Sequence, residues 1–184
     1  MKEYLYHIND ESKSIYYMTP KCATRTILNI LKIQKGAFFK KVDEKHSHYF
    51  SWGFVRNPFE RITSAYQNKI VDNHQKGLNE YRHLKSFKDF IKAIEKDGLI
   101  DRHIKPQSDL LPDNISFLGK LENMDEDLNF VLNKIGIEYN NKTPKINSSK
   151  CKHYSEYYDD ETLNIVSRMY SNDIQRFNYK FDEK

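Results

Sequence analysis

Tyr16-Tyr17-Met18-Thr19-Pro20-Lys21-Cys22-Ala23-Thr24-Arg25-Thr26 is the stretch around which the rest of the chain is read. The apolar run Ile15, Tyr16, Tyr17 and Met18 reads as a buried strand, Pro20 stops it, and Ile27, Leu28, Ile30 and Leu31 then recur at helical spacing. A strand, a tight loop and a helix N-terminus leave backbone N–H groups and the positive end of a helix dipole aimed at whatever sits on the loop. With Lys21, Arg25 and the hydroxyls of Thr24 and Thr26 added, the loop suits an oxyanion such as phosphate or sulfate. The same residues admit a plainer role, in which Thr24 caps the helix and Lys21 is a solvated loop charge.

Two familiar phosphate loops are excluded by spacing. A Walker A loop needs G-x-x-x-x-G-K-[ST], and no glycine occurs between Met1 and Lys35. A phosphatase-type cysteine loop starting at Cys22 would place arginine where Leu28 stands, so Cys22 is not that nucleophile.

The 184 residues fit one domain, 1–184, and suffice to bury a sizeable core; 38% are hydrophobic and 30% charged, which suits a globular chain. The net charge of +4 favours an anionic cofactor or acidic substrate, and without a basic stripe it gives no reason to expect nucleic-acid binding. Apolar stretches are too short for a transmembrane helix, and Met1 to His7 is not a signal peptide, so a cytoplasmic protein is expected. Cys22 and Cys151 lack metal-type spacing and make no disulfide framework. His46 and His48 form a candidate metal pair without a third ligand, so no metal is expected.

Residues 1–13 read as a polar leader or an edge strand. Beyond the first helix, expected from about Thr24 to Lys32, Phe50, Trp52 and Phe54 alternate with smaller residues in the clearest strand of the chain. It runs into Arg56-Asn57-Pro58-Phe59-Glu60-Arg61, where Asn57 is a candidate N-cap, Pro58 occupies the first turn and Glu60 can complete a capping box. Strand, loop and helix thus occur twice, and Arg56 stands at the carboxyl end of its strand, where open α/β sheets bind ligands. On the second helix Arg61, Ser64 and Asn68 share one polar stripe. Later, Ser86 opens a helix that buries Phe87, Phe90, Ile91 and Ile94 and ends at Gly98; Ile115 to Leu118 reads as a strand; Leu128, Val131, Leu132 and Ile135 line a helix stopped by Gly136; and a last helix carries Leu163, Val166 and Tyr170. The expected fold is α/β, a P-loop-like parallel sheet flanked by helices.

Lys21 to Thr26 resembles the 5′-phosphosulfate loop of sulfotransferases, and Arg56-Asn57-Pro58-Phe59-Glu60-Arg61 with Ser64-Ala65-Tyr66 resembles their 3′-phosphate motif. The nearest likeness is to the carbohydrate sulfotransferases of the sulfotransferase-2 group. His103-Ile104-Lys105-Pro106-Gln107 is similar to a His-x-x-Pro-Gln element of that group, and Phe117 to Asn123 and Tyr157 to Tyr179 are similar to its later elements.

This resemblance implies 3′-phosphoadenosine 5′-phosphosulfate (PAPS) as donor, with no metal, and transfer of its sulfuryl group to a carbohydrate hydroxyl or amine. It assigns Lys21 to the leaving phosphate; Lys21, Cys22, Ala23, Thr24, Arg25 and Thr26 to the 5′ end of the donor; and Arg56 and Ser64 to its 3′-phosphate. His48 is the first candidate base, since His46-Ser47-His48 resembles a His-x-His pair of heparan-type 2-O-sulfotransferases, and His103 is the second. Ser149, Lys150 and Lys152 are candidates to close over the nucleotide, the plainer reading being a solvated Lys-rich linker. The partner is a saccharide acceptor, and a homodimer is one way for so short a chain to complete its acceptor cleft. Two other readings remain: a kinase with an unusual phosphate loop, requiring Mg²⁺ and ATP, and a non-catalytic module binding a glycan or protein.

Overall fold

The computed structural model describes residues 4–33, 42–73, 77–139 and 152–182. In chain order its regular elements are β1 (Tyr6–Asn9), β2 (Ser14–Tyr17), α1 (Thr24–Ile30), β3 (Phe50–Val55), α2 (Pro58–Tyr66), α3 (Phe87–Asp97), α4 (Gln107–Leu110), β4 (Phe117–Lys120), α5 (Met124–Lys134), α6 (Asp160–Met169) and α7 (Ser171–Phe177). They divide between two compact units, one drawn from Met1–Arg56 and Leu110–Ser148, the other from Asn57–Asp109 and Ser149–Lys184.

The first unit holds the sheet, four strands in the order β1-β2-β3-β4. β2, β3 and β4 are parallel, while β1 adds antiparallel at one edge, so the amino-terminal residues supply an edge strand. Asn9 makes the turn between β1 and β2 by accepting at Oδ1 from the N–H groups of Glu11 and Ser12, both at 3.0 Å. Every residue of β2 is buried, as an inner strand requires. Tyr16 of β2 stacks on Trp52 of β3 with ring centroids 4.3 Å apart, and with Met18, Ile27 and Phe54 these rings meet Leu128, Val131 and Leu132 of α5. The result is a single-sheet α/β arrangement with parallel strands flanked by helices.

β4 begins later than its apolar run suggests. Ser116 donates its backbone N–H to Ser51 Oγ at 2.9 Å, so its place beside β3 is fixed by a side chain and ladder pairing starts at Phe117. Because β2 and β3 are parallel, with Tyr17 opposite Gly53, the loop after β2 and Arg56 after β3 leave from the same end of the sheet.

The second unit is helical. Asn57 caps α2 by accepting from the N–H of Phe59 at 3.1 Å, and Ser86 caps α3 by accepting from that of Asp89 at 3.1 Å. Phe90, Ile91 and Ile94 of α3 pack with Phe59, Ile62 and Val166 in its core. On the surface Lys88 pairs with Asp159 at 2.8 Å and Glu161 at 2.6 Å, Lys92 pairs with Glu161, and Arg168 with Glu95, linking α3 to α6. The expected last helix is two, α6 and α7, divided at Tyr170, whose hydroxyl donates to Ile104 O at 2.5 Å. No helix among the described residues is long and apolar enough to cross a membrane.

Candidate active site

The loop after β2 is held by its own backbone. Thr19 O accepts from Cys22 N at 3.3 Å and from Thr24 Oγ1 at 2.8 Å. Lys21 and Ala23 take left-handed conformations, φ 71° and 53°, each at a cost of about 1–2 kcal/mol for a residue with a Cβ. Thus a loop without glycine bends as a glycine-rich one would. Ala23 stands at the N-cap of α1 with no side-chain hydrogen bond there, so the first helical N–H groups have no side-chain cap.

The side chains in this loop divide into two sets. Cys22 is buried, its Sγ 3.8 Å from Pro20 O. Thr24 spends its hydroxyl proton on Thr19 O and also meets the buried Tyr16 hydroxyl, whose pKa burial pushes up. Thr26 is buried too. Of the six residues expected to hold an anion, Cys22, Thr24 and Thr26 shape the loop with their side chains, Ala23 offers backbone, Lys21 is half-buried and Arg25 is exposed. Thr19, absent from the expected set, has a buried Oγ1 with no hydrogen-bond partner among the described residues.

Arg56 reaches back to this loop, its Nη1 donating to Lys21 O at 3.4 Å. Lysine and arginine from the two motifs therefore meet where β2 and β3 end. Two basic residues, Lys21 and Arg56, thus stand at the ends of adjacent parallel strands, a setting that suits an anion better than a neutral ligand.

In the helical unit, Ser64 is half-buried on α2, and its hydroxyl has no partner among the described residues. Arg61 does not lie on a solvated polar stripe with it. Its guanidinium is buried, 1% exposed, and donates to Lys105 O at 2.8 Å and Arg102 O at 3.2 Å, closing the turn that carries His103.

The histidines separate sharply. His48 is exposed, edge-on to Tyr49, and precedes β3 at the end of the sheet opposite Lys21 and Arg56. The length of β3, roughly 20 Å at the usual rise per residue, keeps it from the loop. His46 is buried, and its Nδ1 accepts from Asp43 N at 3.1 Å, so it caps a local turn. Among the described residues no group of three or more His, Cys, Asp and Glu side chains is arranged to hold a metal ion. His103 is paired: its Nδ1 lies 2.7 Å from Asp101 Oδ1, and its backbone N–H donates to the same oxygen at 2.7 Å. That bond holds the Asp101 carboxyl below its ordinary pKa. Asp101 escaped the sequence reading, although its place two residues before His103 was the available signal. Ser149, Lys150 and Cys151 lie outside the described residues, and Lys152 is exposed.

Comparison with known proteins places the chain among carbohydrate sulfotransferase relatives. Carbohydrate sulfotransferase 14 of Danio rerio is 24% identical over 191 residues, covering 78% of this chain and 52% of its own length. Carbohydrate sulfotransferase 10 of Xenopus laevis is 22% identical over 238 residues, covering 94% of this chain and 66% of its own length. This chain thus spans about half of one relative and about two thirds of the other. No solved structure matches. The profile of the Sulfotransferase family matches residues 4–180, taking in the loop at Lys21, Arg56 and its helix, and the His103 turn, and on that match the chain belongs to the sulfotransferase family.

Proposed function

We propose that the protein transfers a sulfuryl group from PAPS to a hydroxyl or amine of a carbohydrate. The observation that carries this reading is the convergence of Lys21 and Arg56 through the 3.4 Å bond at the carboxyl ends of two parallel strands. The names of the two relatives support the carbohydrate acceptor, and family membership supports the donor. The loop is P-loop-like in role: a backbone turn and a lysine on the 5′ side of a nucleotide, built without glycine.

Bound donor supplies the sulfuryl group and the S–O bond that breaks. Lys21 meets the negative charge that grows on the phosphate oxygen as that bond lengthens, and the N–H groups after Ala23 share the load. Arg56 and Ser64 bind the 3′-phosphate, which distinguishes this donor from ATP. His103 takes the acceptor proton. His48, at the other end of the sheet, has no part in this assignment.

The test is transfer of labelled sulfuryl group from PAPS to a panel of unsulfated oligosaccharides with chelator present. Wild type should transfer, and Lys21→Ala should lose on the order of 100-fold or more, the usual cost of one transition-state donor. Transfer that needs Mg²⁺ and ATP would make the protein a kinase, and oligosaccharide binding without turnover would make it a binding module.

A further inference from the structure

We propose that Asp101 is a positioning residue for His103, fixing the imidazole so that Nε2 is the atom that accepts the proton of the sugar hydroxyl; this rests on the sulfotransfer reading above. One carboxylate oxygen, Asp101 Oδ1, accepts the backbone N–H of His103 and lies 2.7 Å from its Nδ1. Main chain and ring are therefore anchored to one point. The backbone N–H of Leu78 donates to the same carboxylate.

The other wall is Gly77. A Cβ there would lie 3.1 Å from His103 Cε1, 3.2 Å from Nδ1 and 3.6 Å from Asp101 Oδ2, and its φ of +111° is itself a conformation that L side chains rarely adopt. Glycine lets the backbone close over the Nδ1 edge of the ring. Nε2, by contrast, has no hydrogen-bond partner among the described residues, and the His103 side chain stays 28% exposed.

An ionised carboxylate only accepts, so Nδ1 must be the protonated nitrogen of the neutral ring and Nε2 keeps its lone pair. As the acceptor oxygen bonds to sulfur, the S–O bond to the 5′-phosphate breaks and its electron pair stays on that phosphate. The acceptor's proton passes to Nε2, and the imidazolium so formed is held beside the Asp101 charge until solvent removes the proton. Asp101 has a structural role as well: its carbonyl accepts from Ile104 N at 3.0 Å and Lys105 N at 2.9 Å. That backbone role is independent of the carboxylate and leaves the tautomer alone.

The experiment is a long-range ¹H–¹⁵N correlation of the imidazoles in the full ¹⁵N-labelled chain at mildly alkaline pH, with His103 assigned by its absence in His103→Gln. Wild type should show the Nδ1–H tautomer with a bare Nε2. Asp101→Ala should shift His103 toward Nε2–H while the remaining amide spectrum is retained. In the oligosaccharide assay it should slow transfer on the order of 100-fold, with the affinity for 3′-phosphoadenosine 5′-phosphate unchanged. An Nε2–H tautomer in wild type overturns the proposal even if the variant fails to fold, and so does an unaltered tautomer or transfer rate in the variant. If wild type has the expected tautomer but binds no 3′-phosphoadenosine 5′-phosphate, the sulfotransfer reading fails instead, and the base role of Nε2 falls with it.

Discussion

Arg56 and Arg61 stand five positions apart in one motif and do different work. Arg56 is half-buried and bonds the carbonyl of Lys21, a residue proposed for the chemistry. Arg61 is buried and bonds the carbonyls of Arg102 and Lys105, which places the turn that presents His103. A buried guanidinium bonded to two carbonyls holds its turn more firmly than a neutral side chain, since bonds to charged groups are the stronger ones. Arg61→Ala should therefore lower stability by about 3 kcal/mol, because it leaves two carbonyls unmatched and a void. Urea unfolding checks this, and a loss below about 1 kcal/mol would mean that water replaces the guanidinium at no cost. The two arginines were legible as a pair in the sequence, but their division was not. Spacing along a helix puts Arg61 beside Ser64, whereas its burial is decided by carbonyls more than forty positions away. The left-handed Lys21 and Ala23 were hidden for a related reason: glycine is the usual signal for positive φ, and here the Thr24 hydroxyl and Thr19 carbonyl impose it on other residues.

At the scale of elements, the N-caps of α2 and α3 and the apolar periodicity were legible, whereas Ala23 at the start of α1 has no side-chain cap. Asn57 and Ser86 start α2 and α3 as their residue types indicate, and the buried faces of α3 and α5 are those of the apolar spacing. Boundaries moved where a tertiary bond intervened, as at Ser116 before β4 and at Tyr170 between α6 and α7. The pairing of β3 with β4 hides a tighter requirement. Phe54 and Gly119 are register partners, and a Cβ on Gly119 would fall 2.5 Å from Phe54 Cε1 and 2.7 Å from its Cζ. Phe54 is 1% exposed and packs edge-on against Trp52, so its ring would have to shift within the core to make room. Gly119→Ala should cost about 1–3 kcal/mol by overpacking. Thermal unfolding measures it, and Phe54→Leu in the same chain should recover part of the loss. An additive double mutant would show that the ring is not what resists the methyl group.

For the whole molecule, composition announced a globular chain of modest positive charge but not its partition into two compact units. No shift in composition marks Arg56 or Leu110, and the partition depends on which distant segments pair, as when Asp173 accepts from the N–H groups of Gln107 and Ser108 at 2.7 Å and 2.8 Å. Acceptor identity was equally silent, since nothing in the composition of the chain names a sugar. The donor makes the sharper demand on the folded chain. A nucleotide that binds only the folded state stabilises it by RT ln(1 + [L]/Kd), about 2.7 kcal/mol at one hundred times its dissociation constant. In a thermal-shift titration without Mg²⁺, 3′-phosphoadenosine 5′-phosphate should raise the melting temperature in proportion to the logarithm of its concentration. ADP, which lacks the 3′-phosphate proposed to meet Arg56 and Ser64, should shift it far less. Arg56→Ala removes both that contact and the bond to Lys21 O, so the variant should lose most of the response to the 3′-phosphorylated nucleotide and little of the weak response to ADP. An equal response to the two nucleotides in wild type would leave Arg56 with only its structural bond to the loop, and would place the specificity of this site in the 5′-phosphate alone.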